Sequence, residues 1–131
     1  MNRSIAYRAW DVRRHHLLPV GGLRFLGDEL EQVQAPIRPE SDKFAWYSAA
    51  DFELMEATGV VDGSREMIYE GDIARLGKEG LWTVVYDRGQ FVLQSPDETI
   101  QRSLALYTDD PALVVIGNVF EDANLLATKK S

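Results

Sequence analysis

The sequence predicts a mainly β fold, and three features carry that reading. Gly71-Asp72 is a turn pair feeding Ile73-Ala74-Arg75-Leu76: glycine takes positive φ without steric cost, and aspartate bonds its own backbone two residues on. Residues 81–86 and 90–93 are rich in β-branched and aromatic side chains, and Asp87-Arg88-Gly89 between them suits a hairpin. Val61-Asp62-Gly63-Ser64 is a further hairpin signal, flanked by short apolar stretches.

The remaining elements follow from alternation and punctuation. Residues 5–10 alternate as a strand, with Ile5, Tyr7 and Ala9 on one face, and Asp11 ends it. Arg13 to His16 form a polar turn, and Pro19 makes residues 17–20 an edge segment. Residues 27–43 hold Pro36, Pro39 and many charges, and they read as a surface loop with a short helix near Asp28 to Val33. The aromatic cluster at Phe44-Ala45-Trp46-Tyr47 is left unassigned. Residues 52–58 read as a strand. Ser95-Pro96-Asp97-Glu98 carries a helix-start signature, serine at the cap and proline at the first helical position, so a helix is expected over 96–107, with a strand through 104–107 as the competitor. Leu113 to Ile116 read as a buried strand that Gly117-Asn118 bends, and Asp122 caps a terminal turn ending at Leu125-Leu126. Lys129-Lys130-Ser131 are expected to fray. Trp10 and Ile116 are expected in the core.

Composition bounds the function. Residues 1–131 are the size of one domain, able to bury roughly two-thirds of the unfolded surface. Apolar residues make up 45% and charged residues 27%, a globular rather than a disordered balance. The chain has no cysteine, which removes disulfides, thiolate metal sites and cysteine nucleophiles, and it fits a reducing cytoplasm. Met1 to Ile5 lack an apolar region behind their charge, and no run is long enough to span a bilayer, so a soluble cytoplasmic protein with no membrane role is expected.

The net charge is −7, unevenly spread. Residues 1–25 carry Arg3, Arg8, Arg13, Arg14 and Arg24 against Asp11 alone, whereas residues 26–75 carry twelve acids against four bases. That balance disfavours broad nucleic-acid binding, which draws its affinity from neutralising phosphates.

Four segments together resemble the YopX family of bacteriophage and prophage proteins. Tyr7-Arg8-Ala9-Trp10-Asp11 is similar to that family's opening aromatic-Arg-Ala-Trp-Asp motif. Leu54-Met55, Thr58-Gly59, Asp62-Gly63 and Ile68-Tyr69-Glu70-Gly71-Asp72-Ile73 resemble its central motif in order and spacing. Val84, Tyr86 and Phe91-Val92 fall at its Val/aromatic hairpin, and Ile116 to Glu121 with Leu125-Leu126 resemble its closing motif. Ala123 stands where the family commonly has proline. The resemblance implies a small β-barrel-like domain with one or two short helices, a phage or prophage origin and a place in the host bacterial cytoplasm. It carries no established activity to inherit.

Each candidate site residue also has an ordinary structural role. Trp10 and Asp11 could present a stacking surface beside a carboxylate, although a core tryptophan and a turn aspartate account for the pair more often. Arg13 and Arg14 with Arg3, Arg8 and Arg24 could form a basic patch, set against a solvated sheet face. Glu70 and Asp72 would share a face if extended and could hold a cation, but hard cations need several oxygen ligands, and only Glu56 and Glu66 are obvious helpers. Adjacent His15 and His16 face opposite ways on a strand and have no third histidine, so they read as exposed loop residues. No catalytic, cofactor or metal residues are assigned. The expectation is a noncatalytic accessory protein, a homo-oligomer, that binds a host or phage protein through its strand edges. The alternative is a nucleic-acid-binding barrel that uses the N-terminal arginines.

Overall fold

The structure is a computed structural model that describes residues 6–127. Arg3, Ile5 and the expected fraying of Lys129 to Ser131 lie outside the described residues. The chain is mainly β, as expected, with one short α-helix among the described residues. Its contacts divide into two compact units, the first ending at Glu56 and the second beginning at Ala57.

In the first unit, β1 (Tyr7–Asp11) pairs antiparallel with the edge strand β2 (His16–Pro19). Strands β3 (Gly22–Leu26), β4 (Glu29–Pro36) and β5 (Phe44–Ser48) form an antiparallel sheet with β4 in the centre. Residues 27–43 are therefore not a loop with a short helix. Gly27, at φ 63°, opens a two-residue turn, and residues 29–36 are strand. The register slips between Arg24 and Phe25, leaving Glu31 as an extra residue on β4. That bulge shifts parity, so Leu30 and Val33, three apart, both reach the core and imitate helical spacing. Pro36 is tolerated because it ends its strand.

Strand β6 (Phe52–Val61) pairs through Phe52 to Glu56 with the other edge of β1. It runs beyond the expected 52–58. The core of this unit is Ala9, Leu18, Val33, Ala35 and Phe52, flanked by Leu23, Leu30 and Tyr47. Trp10 is buried, as expected.

The second unit contains the rest of β6 with β7 (Met67–Tyr69), and a five-stranded sheet. That sheet is built from β8 (Asp72–Leu76), β9 (Leu81–Asp87), β10 (Gln90–Gln94), β11 (Gln101–Ser103) and β12 (Leu113–Asn118), in the order β11-β10-β9-β8-β12. Helix α1 (Ala123–Ala127) follows Asp122. The Gly71-Asp72 turn is as expected, with Gly71 at φ 89°. The β9–β10 hairpin turns at Arg88-Gly89, both at positive φ, which matches the twist of the flanking strands.

The helix expected over 96–107 is absent. Ser95 Oγ accepts from the Ile100 N–H at 3.0 Å and donates to Asp97, whose Oδ1 accepts from Thr99, and Glu98 sits at φ 64°. The same polar residues that would start a helix here close a turn between β10 and β11. Residues 104–107 form a single 3-10 turn rather than a strand. Ile116 is only half-buried, because the register shift between Val115 and Gly117 makes it the extra residue of a bulge. The core holds Ile68, Ala74, Leu76, Trp82, Val84, Leu93, Leu104 and Leu113 instead.

Candidate functional site

Three of the candidate residues belong to the turn after β1. Asp11 is buried, and its Oδ1 accepts from the N–H groups of Arg13 and Arg14 at 3.0 Å each. Its Oδ2 takes the Arg14 Nε at 2.7 Å. Burial opposes ionisation of Asp11, but these donors and the Arg14 charge outweigh it and hold the carboxyl below its ordinary pKa. The guanidinium of Arg14 also donates to the Ile37 carbonyl at 3.1 Å and lies over the Tyr47 ring, 5.4 Å from its centre. Bonding to Asp11, and then to Tyr47, raises its pKa further. Arg14 is thus committed to holding the turn against β4 and β5. Arg13, its side chain 76% exposed, stands 3.7 Å from Asp51. Together Asp11, Arg13, Arg14, Tyr47, Asp51 and Phe52 line a cleft of about 370 Å³.

The other candidates are elsewhere. Arg8 is half-buried on β1, and Trp10 on the same strand makes an edge contact with His15, ring centres 5.8 Å apart. His15 is in the turn at φ 59°, and His16 begins β2. Glu70 and Asp72 do not lie along an extended segment, because Gly71 turns the chain between them. Asp72 is buried and accepts the Tyr69 N–H at 2.8 Å. Among the described residues no three His, Asp or Glu side chains gather as metal ligands.

A second surface gathers around Arg24. On the three-stranded sheet, Gly22 pairs with Gln34 and Gln34 with Trp46, while Arg24 pairs with Gln32 and Gln32 with Ser48. These side chains share the face opposite Leu23, Val33 and Tyr47. The Arg24 guanidinium lies 3.9 Å from the centre of the Trp46 ring and donates to Gln32 Oε1 at 3.1 Å. Gly22 leaves the room the indole needs, since a Cβ there would come within 3.1 Å of it. At the tip of this sheet Phe25 is 58% and Leu26 70% exposed, beside the exposed acids Asp28, Glu29 and Glu31. The signal for this hairpin was present in Gly27-Asp28 between two apolar stretches, masked by the bulge at Glu31.

The family model of the YopX protein matches residues 6–127. The chain belongs to the YopX family. This YopX chain is also similar to solved structures. Protein EF1440 from Enterococcus faecalis superposes with a TM-score of 0.68 at 23% identity, over 95% of this chain and 99% of that one. Protein yopX from Bacillus subtilis gives a TM-score of 0.59 at 18% identity, over 92% of this chain and 96% of that one. At these identities the likeness is one of fold. No curated protein matches the sequence. No helix among the described residues of this YopX chain is long and apolar enough to cross a membrane.

Proposed function

We propose that this chain is a noncatalytic accessory protein of phage or prophage origin that acts in the host cytoplasm by binding another protein. The observation that carries the reading is the exposure of Phe25 and Leu26 on an edge strand, two large apolar side chains whose burial would favour association. The phage origin rests on the family. The buried carboxylates favour a noncatalytic role, because they accept structural hydrogen bonds: Asp11 from turn N–H groups and Arg14, Asp62 from its loop and Val115, Asp72 from Tyr69.

The test is affinity purification of the tagged protein from bacteria carrying the phage or prophage, with a nuclease-treated arm in parallel. A protein recovered in stoichiometric amount in both arms, and lost when Leu26→Lys is used, supports the reading. Recovery only in the untreated arm overturns it.

One observation favours nucleic acid instead: the Arg24–Trp46 stack, with Phe44 exposed on the same sheet, combines a cation with aromatic surface. The N-terminal arginines weigh against it, since Arg14 is spent on Asp11 and Arg13 faces Asp51. Salt-sensitive micromolar binding of single-stranded DNA or RNA, lost in Arg24→Ala, would promote that alternative.

A further inference from the structure

The strand edges of this chain are not equivalent. The outer edge of β12 is already bonded, with the Gly63 N–H donating to the Leu113 carbonyl at 2.7 Å and the Val115 N–H to Asp62 at 2.8 Å. Strands β7 and β11 are three residues long, and β2 ends in Pro19. Such shortness, proline and covering are ordinary protections of a sheet edge. Strands β3 and β5 end their sheet with five residues each and no proline, and β3 carries the two more exposed large apolar side chains, Phe25 and Leu26, against Phe44 on β5.

We propose that the β3 edge takes an extended, basic and apolar segment of a partner protein as an added strand, which rests on the protein-binding reading above. Main-chain hydrogen bonds along residues 22–26 supply affinity, and the alternating side chains supply selectivity. Leu23 and Phe25 point to the core side of the sheet, and Arg24 and Leu26 to the opposite side. Because these two face opposite ways, an added strand alternating apolar and basic residues would cover one of Phe25 and Leu26 with its apolar face and present its cations on the other.

Charge selects the occupant. Asp28 and Glu29 sit at the turn and Glu31 at the bulge, all exposed, and among the described residues no Lys or Arg pairs with them. The nearby cation, Arg24, is stacked on Trp46 and bonded to Gln32. The tip is therefore an uncompensated acidic rim around an apolar knuckle, complementary to lysine or arginine. A second copy of this chain, with net charge −7 and the same acidic tip, is the poorer match.

The probe is a capped six-residue peptide alternating lysine and valine, compared with its glutamate-valine counterpart. The basic peptide should bind, weaken as salt rises, and slow amide exchange at Leu23 to Leu26 by NMR. The acidic peptide should bind at least about tenfold more weakly, and Glu29→Lys/Glu31→Lys should reverse the preference. Equal binding of both peptides, unchanged β3 amides, or no reversal in the charge variant overturns the proposal, as does concentration-dependent dimerisation that protects the same amides. The parallel purification separates the two readings. A partner retained equally by wild type and Leu26→Lys leaves protein binding standing and removes β3 as its site, whereas no partner with either removes both.

Discussion

The Asp62 carboxylate accepts the Val115 N–H at 2.8 Å across 53 residues of sequence. Its other oxygen accepts from Ser64 and Glu66 at 2.8 and 2.9 Å, so one buried side chain closes its own loop and bonds it to β12. Gly63 passes so close to Pro111 that a Cβ would lie 2.7 Å from its carbonyl oxygen. The Asp62-Gly63 pair thus turns the β6–β7 hairpin, as expected, and also fastens it to β12. Asp62→Ala removes the acceptor of three backbone N–H groups, those of Ser64 and Glu66 on exposed residues and that of Val115 within the sheet, and the expected loss is about 1–3 kcal/mol. The shift of the denaturant midpoint measures it. Asp62→Asn, which keeps one oxygen, should lose less.

Gly71 holds φ at 89° while its N–H donates to the Val84 carbonyl and its carbonyl accepts from Val119, both within 2.9 Å. A side chain is strained in that conformation, so Gly71→Ala should cost about 1 kcal/mol or more. An unchanged chemical denaturation curve would remove the backbone argument.

Leu113 and Ile116 lie on the same strand and should respond differently. Leu113 is 0% exposed in the core of the second unit, and Leu113→Ala should cost about 2–5 kcal/mol. Ile116 is the half-buried bulge residue, and its truncation should cost less than half of that. Equal losses in equilibrium unfolding would contradict the bulge.

Stability should fall in acid through identifiable carboxylates. Asp11 titrates below its ordinary value, and Asp97, bonded by Ser95 and Thr99, is lowered to about 2. A depressed folded pKa means the contribution is present above the unfolded value, about 4, and is lost as pH falls through the folded value. Asp11→Asn should therefore weaken the fold at pH 7 and flatten the loss of stability below about pH 4. An acid limb as steep as wild type in urea titrations at several pH values would count against this assignment.

Arg14 and Arg13, adjacent in sequence, should separate in effect. Arg14→Ala removes the partner of a buried carboxylate and should destabilise the protein, whereas Arg13→Ala, on an exposed side chain 3.7 Å from Asp51, should change stability by less than about 0.5 kcal/mol. Thermal unfolding of the two single variants checks the difference.

Much of the fold was legible where local chemistry and strand register agree. The Arg88-Gly89 hairpin, the Gly71 turn and the edge strand ending at Pro19 each rest on residues whose backbone preferences leave few choices. The errors came where one local signal serves two structures. Ser95-Pro96-Asp97-Glu98 has the polar groups of a helix cap, but the chain after it had to return as β11, so those groups bond around a turn. Leu30 and Val33, three apart, share one face of a strand only because Glu31 bulges.

By itself the sequence determined the class of the protein, its turns and its family motifs, since these depend on φ preferences, alternation and residue order within short windows. Only the tertiary structure decided what the charged and aromatic residues do. It spends Arg14 on Asp11, stacks Arg24 on Trp46, sends the Asp62 carboxylate to a strand 53 residues away, and leaves Phe25 and Leu26 bare on an edge. Those outcomes depend on which strands become neighbours and where a bulge reverses a face, and strand pairing is a long-range choice that no short window of sequence contains.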